Sequence, residues 1–325
     1  MHTKIAFVIA LLAAFPAGAL AQVTAPVDNF PSRPVRFIVP FAPGGAVDIL
    51  TRTVSQKLGE VWGQQALIDN RPGAGGNIGA EAAARAPADG YTILLGDAAH
   101  ANAVSLYPKL SYDFVKDFEP VTLAAITPLV IVTHPSLPVK TTQDLIQLAR
   151  TSKEPLVLGT GGNGSATHLG AELLMATAKI SFVKVPYKSV PPALPDLVSG
   201  RLSLMFLPAP VAMPHVKDKK VNAIAVTSRQ RSVAYPGVPA VAEALPGFEA
   251  NTWYGMMVPV RTPQPVIARL HRDITAALKA PEVNERLTGL GSQLIAGSPA
   301  EFGVHIRSEI DKWGKVIKGA GVQVE

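Results

Sequence analysis

Apolar positions along this chain switch repeatedly between a strand-like run and a helical period. Val35-Arg36-Phe37-Ile38-Val39 is a β-branched run that stops at Pro40, and Val47, Leu50, Val54 and Leu58 then recur at helical spacing. Leu67-Ile68 precedes a turn-rich stretch, Asn70-Arg71-Pro72-Gly73-Ala74-Gly75-Gly76-Asn77, ahead of an alanine-rich helix around Gly79 to Ala86. Asp89-Gly90 marks a turn before the strand Tyr91 to Leu95. A second unit opens near Leu129-Val130-Ile131-Val132. It continues through a helix from Thr142 to Ala149, capped by Thr141 or Thr142. The strand Leu156 to Leu158 leads to a helix whose face is marked by Leu169, Leu173 and Ala176. Further strands are predicted at Phe182 to Val185, Leu202 to Phe206 and Val221 to Val226. Ile267, Leu270, Ile274 and Leu278 stripe one amphipathic helix, and a last helix runs from about Ala300 to Lys318. Strands alternating with helices predict an α/β fold, with parallel sheets covered by helices on both faces. No repeat of fixed period interrupts the pattern.

Two of the strand-to-helix connections are rich in glycine: Pro40-Phe41-Ala42-Pro43-Gly44-Gly45-Ala46-Val47-Asp48 and Gly159-Thr160-Gly161-Gly162-Asn163-Gly164-Ser165-Ala166-Thr167-His168. A helix N-terminus presents unpaired backbone N–H groups and the positive end of its dipole. Glycine lets an anion approach those groups without a Cβ in the way. Two such turns read as half-sites for the two ends of one acidic ligand, against the plainer reading of tight connections without a ligand. In the first turn, Asp48 would repel an anion, so it is expected to cap or brace the loop. In the second, Ser165 and Thr167 add hydroxyls, and His168 is expected to pack or cap rather than act as a base.

Composition narrows the setting. Lys4, the apolar run from Ile5 to Phe15, and Ala19-Leu20-Ala21 before Gln22 form a secretory signal, so residues 1–21 are expected to be cleaved after Ala21. The run is shorter than the roughly 20 residues that span a bilayer. The 325 residues contain no cysteine, which excludes disulfides and a lipid-anchoring cysteine, and a free periplasmic protein is expected. The formal charge is +6 and includes no dense Lys/Arg block beyond Lys217-Asp218-Lys219-Lys220, which argues against nucleic acid.

Other chemistries find less support. A Ser165/His168 catalytic pair lacks a local orienting carboxylate. Gly159, Gly161 and Gly164 fit the G-x-G-x-x-G dinucleotide fingerprint, but the next strand, Ser181 to Lys188, has no acid for a ribose. His100, His134, His168, His215, His271 and His305 are scattered without metal-ligand spacing. Neither cofactor nor metal is expected. Trp253 and Tyr254 sit where two domains would join, either lining a cleft or packing a core.

The chain resembles the periplasmic solute-binding proteins of tripartite tricarboxylate transporters, the Bug family. The match rests on Val39-Pro40-Phe41-Ala42-Pro43-Gly44-Gly45 with Asp48 and Arg52, and on Asn70-Arg71-Pro72-Gly73-Ala74-Gly75-Gly76-Asn77-Ile78-Gly79. Asp89 to Leu94, Pro186-Tyr187-Lys188 with Asp196-Leu197, Ala225 to Ser228 with Arg231-Ser232, and Trp253-Tyr254-Gly255 extend it. The resemblance implies a two-domain, type II-like clamshell with crossing strands as the hinge. One domain would comprise residues 22–127 and 251–325, the other residues 128–250. It further implies a monomeric, non-enzymatic protein that takes a small di-/tricarboxylic or aromatic acid to membrane permease subunits. A sensing receptor of the same fold is the alternative, and an exported dinucleotide-dependent oxidoreductase a more distant one. The expected ligand contacts are Phe41, Ala42, Gly44, Gly45, Gly162, Ser165 and Thr167, with His100 and Tyr254 contributing side-chain recognition. Two departures bear on the ligand. Ser189 follows Pro-Tyr-Lys where the family usually has glycine. Leu207-Pro208-Ala209-Pro210 offers no carboxylate for a ligand ammonium, so acidic amino acids are expected to bind worse than acids without an amino group.

Overall fold

Val35, Phe37, Ile38 and Val39 are all fully buried, which makes the first strand the centre of a sheet rather than its edge. The computed structural model describes residues 29–322; the export signal and its cleavage position lie outside that range. In chain order the first half runs β1 (Val35–Val39), α1 (Ala46–Trp62), β2 (Ala66–Asn70), α2 (Asn77–Ala84), β3 (Thr92–Asp97), α3 (Ala98–Leu106), β4 (Phe118–Thr133), α4 (Thr142–Thr151), β5 (Val157–Thr160) and α5 (Ala166–Ala178). The second half runs β6 (Val183–Pro186), α6 (Leu194–Val198), β7 (Leu204–Pro208), α7 (Ala209–Lys217), β8 (Asn222–Val226), α8 (Val241–Ala244), β9 (Asn251–Pro259), α9 (Gln264–Lys279), α10 (Pro281–Gly289), β10 (Gln293–Leu294) and α11 (Pro299–Ala320).

The strands follow the order β2-β1-β3-β9-β4-β7-β5-β6, with β8 and β10 also paired to β4. Both outer groups are parallel, β2-β1-β3 on one side and β7-β5-β6 on the other. The middle is antiparallel, because β9 pairs with both β3 and β4 in that sense. β4 is 16 residues long and belongs to both halves. Up to Pro128 it runs beside β9, and from Leu129 it runs beside β7 and β8. The sequence pattern showed only Leu129 to Val132 of this strand, since Pro120 and Pro128 punctuate the rest.

Helices cover both faces, as the alternation predicts. Leu50, Val54 and Leu58 of α1 pack with Ile267, Leu270 and Ile274 of α9 on one face of β1-β3-β9, and Phe302 and Ile306 of α11 cover the other. Each fully buried side chain of this size contributes about 1.5–3 kcal/mol of burial free energy. The second half repeats the plan, with Leu169 and Leu174 of α5 on one face and Ala212 and Met213 of α7 on the other. The expected face of α5 needs correction. Leu173 is half-buried and Ala176 exposed, while Ala171, Leu174, Met175 and Ala178 turn inward. The helix is apolar nearly all round, so periodicity did not single out its inner face.

Candidate functional site

The two glycine turns end the parallel strands β1 and β5, and each leads directly into a helix, α1 or α5. Helices after parallel strands start at the carboxyl edge of the sheet, where open α/β folds place ligands. Between the turns lies a cavity of about 50 Å³, walled by Ala46 and Val47 of α1 and by Ala166 and Thr167 of α5. By that measure a single water needs roughly 10–15 Å³.

Side chains lace each turn so that its own amides point to definite partners. In the first, Asp48 accepts the Gly44 N–H at 2.9 Å, Arg52 Nε at 2.9 Å and Asn70 Nδ2 at 3.0 Å. Burial pushes the Asp48 carboxyl up, but these three donors outweigh it and hold the group below the usual carboxylate range. Gly45, the N-cap, supplies no side-chain acceptor, so the first amides of α1 have no cap.

In the second turn, the Ser165 hydroxyl donates to the Gly162 carbonyl at 2.7 Å and accepts the His168 N–H at 3.2 Å. Thr167 Oγ1 accepts the Gly161 N–H at 2.8 Å and lies 2.9 Å from Ser165 Oγ. Since the Ser165 proton is already engaged, Thr167 is the donor in that pair. Both hydroxyl protons therefore stay within the loop, and the donors left for a ligand are the N–H groups of Ala166 and Thr167. His168 Nδ1 accepts the Gly164 N–H at 3.2 Å, which puts the ring proton on Nε2, facing Glu172 Oε1 at 3.2 Å. Lys184, itself exposed, closes this row on the buried Glu172. Burial raises the Glu172 carboxyl, and the bonds from His168 and Lys184 outweigh it and pull it below its ordinary value.

Of the residues expected at the site, the fold brings Phe41, Gly45, Ser165, Thr167 and Tyr254 to the cavity wall. Ala42, Gly44 and Gly162 shape the turns and do not line the cavity. The Ala42 carbonyl accepts the Gly45 N–H at 3.4 Å, and Gly162 holds Ser165. His100 is fully buried behind Phe41, its ring 6.4 Å from the phenyl and stacked 5.4 Å from Phe114. Strand alternation decides the fate of the aromatic pair on β9. Tyr254 faces the cavity with Thr252, while Trp253 turns away to pack edge-on against Phe302 and His305.

Asp97, Ser189 and Pro208 are among the wall residues that were not foreseen as contacts. Asp97 ends β3, opposite Tyr254 in the antiparallel ladder, and lines the cavity at 5 % exposure. Burial first, then the Asp97 charge, pushes the Tyr254 phenol well above its usual range, so it stays protonated. Ser189 is 1 % exposed and its hydroxyl has no partner. Its place in the chain was legible as a departure from the family pattern, but its place in the wall was not. Pro208 also lines the cavity and, as the sequence implied, offers no carboxylate there. Among the described residues no cluster of three or more His, Asp or Glu side chains is arranged to hold a metal, and no helix is long and apolar enough to cross a membrane.

The chain is similar to known proteins along most of its length. Residues 50–322 match the family model described as the tripartite tricarboxylate transporter family receptor. A UPF0065 protein from the tcbD-tcbE intergenic region of a Pseudomonas species is 40 % identical over 90 % of this chain and 87 % of its own length. An R. palustris protein solved with adipate superposes with a TM-score of 0.88 at 35 % identity, covering 90 % of this chain and 99 % of that one. MatC from Rhodopseudomonas palustris, solved with bound malate, gives 0.84 at 33 % identity over 89 % of this chain and all of that one.

Proposed function

The chain belongs to the tripartite tricarboxylate transporter receptor family, and from that premise we propose that it captures a small carboxylate between two lobes. The carrying observation is that two helix N-termini meet across one cavity, α1 with no side-chain cap and α5 with the N–H groups of Ala166 and Thr167 left free by its Ser165 cap. Backbone N–H groups and convergent helix dipoles stabilise negative charge, and more strongly once water has left. The solved relatives that hold adipate and malate support a carboxylate as the ligand.

Residues 22–127 with 251–325 form one lobe in this reading, and residues 128–250 the other. The pairing of Pro128 with Asn251, where β4 passes from β9 to β7 and β8, supports a hinge in these crossing strands. Asn102 Nδ2 donates to the Gly164 carbonyl at 2.9 Å, so one bond spans the two lobes in the closed arrangement. The protein works in the periplasm as a monomer after cleavage behind Ala21. It delivers its ligand to permease subunits, with no covalent step and no cofactor.

The test is a thermal-shift screen of the mature chain, unfolded and refolded to strip any carried ligand. It covers mono-, di- and tricarboxylates, aromatic acids and uncharged analogues. A ligand at a hundred times its Kd adds about 2.7 kcal/mol to stability and moves Tm by a few degrees. A shift with acids alone supports the reading, and no shift with any acid overturns it.

A further inference from the structure

We propose that this site selects carboxylates that also carry a hydroxyl or ammonium group, and that Asp97 is the residue that reads that donor. The proposal rests on the carboxylate-binding reading above and goes further by naming what else the ligand must carry.

The cavity wall has two poles of opposite chemistry. One is made of donors: the first amides of α1 and α5 and the unpartnered Ser189 hydroxyl. Those groups suit a ligand carboxylate. The other pole is the side chain of Asp97, a residue 5 % exposed at the end of β3. Its Oδ1 accepts the Ala99 N–H at 3.1 Å and lies 2.8 Å from His100 Nδ1. Among the described residues, no side chain donates to Oδ2. Tyr254 stands across the ladder from Asp97, and no side-chain hydrogen bond joins them.

A carboxylate only accepts hydrogen bonds. A second carboxylate placed against Oδ2 would meet lone pair with lone pair and charge with charge. A bare methylene there would leave a buried acceptor unsatisfied. An O–H or N–H group on the ligand's carbon chain satisfies both poles at once. The apolar Leu207–Pro210 stretch, which suggested that an amino group would be disfavoured, contributes only Pro208 to this wall. The acid comes instead from a different strand.

Three ligands on one four-carbon skeleton test this: succinate, malate with an added hydroxyl, and aspartate with an added ammonium. Each is titrated calorimetrically into refolded mature wild type and into Asp97→Asn. Asparagine still offers an oxygen to the Ala99 N–H, so the start of α3 keeps its cap. In wild type, malate or aspartate binds at least about tenfold tighter than succinate, as expected where a buried acceptor reads a donor. In Asp97→Asn that preference falls to within about threefold. Which of the two wins tells hydroxyl from ammonium. Succinate binding as tightly as both in wild type overturns the proposal, and so does an unchanged preference in the variant. If the tightest acid of the screen carries neither group, this proposal fails while carboxylate capture stands. If no acid binds, carboxylate capture fails first. Should Asp97→Asn not fold, Asp97→Ser keeps a capping oxygen, and the wild-type comparison already decides.

Discussion

Asp48 Oδ2 accepts the backbone N–H of Gly44 at 2.9 Å, tying the first turn of α1 back onto the loop that precedes it. The residue that looks out of place in an anion site therefore holds its glycine turn in shape. Asp48→Ala would take the acceptor from the Gly44 N–H and one of the acceptors from each of Asn70 and Arg52, and is expected to cost about 1–3 kcal/mol of stability. Chemical denaturation of the ligand-free protein reads this directly, and ligand affinity should fall with it.

Thr167 Oγ1 is engaged within its own loop, by the Gly161 N–H and Ser165. Thr167→Ala should lower ligand-free stability by about 1–2 kcal/mol, because the Gly161 N–H loses its acceptor. Thr167→Ser should restore both stability and affinity. A Thr167→Ala protein that melts like wild type yet binds weakly would instead place the hydroxyl on the ligand.

Much of this was legible in the sequence. The glycine turns stood out because a β-branched run precedes each one, and Val47, Leu50, Val54 and Leu58, spaced for a helix, are all buried in α1. Asp97 was not legible as a wall residue. Its position depends on β3 pairing with a β9 strand far along the chain, and local pattern carries no such register. The hydroxyls of Ser165 and Thr167 were found, but their direction depends on which loop atoms they meet first. The burial of His100 behind Phe41 was not legible, since its helix α3 is alanine-rich and shows no period.

Acid should unfold the protein through a few buried carboxyls. Burial raises the Asp273 carboxyl, but bonds from Arg269, Trp62 and Arg272 outweigh it and hold it below its ordinary value, as happens at Asp48 and Glu172. A folded value below the unfolded one stabilises fully above about pH 4–4.5, and that contribution is lost as pH falls through the folded value. Tm should stay flat from pH 7 to about 5 and drop below about 4. Asp273→Asn should lower Tm at pH 7 and narrow the difference between pH 7 and pH 3.5.

Gly255 gives the ring of Phe302 its place on β9. A Cβ there would stand 2.0 Å from Phe302 Cζ. Gly255→Ala should destabilise by about 1–3 kcal/mol through overpacking, and adding Phe302→Leu should recover part of the loss. Urea denaturation of the two single variants and the double measures the coupling.

The most direct test of carboxylate capture pairs the tightest acid of the screen with its own amide, titrated calorimetrically into the refolded mature chain. The amide keeps the shape and removes the charge that the amides of α1 and α5 are placed to hold. One acid per chain, bound at least about a hundredfold tighter than its amide, is the predicted result. An amide that binds as well as the acid would contradict the account.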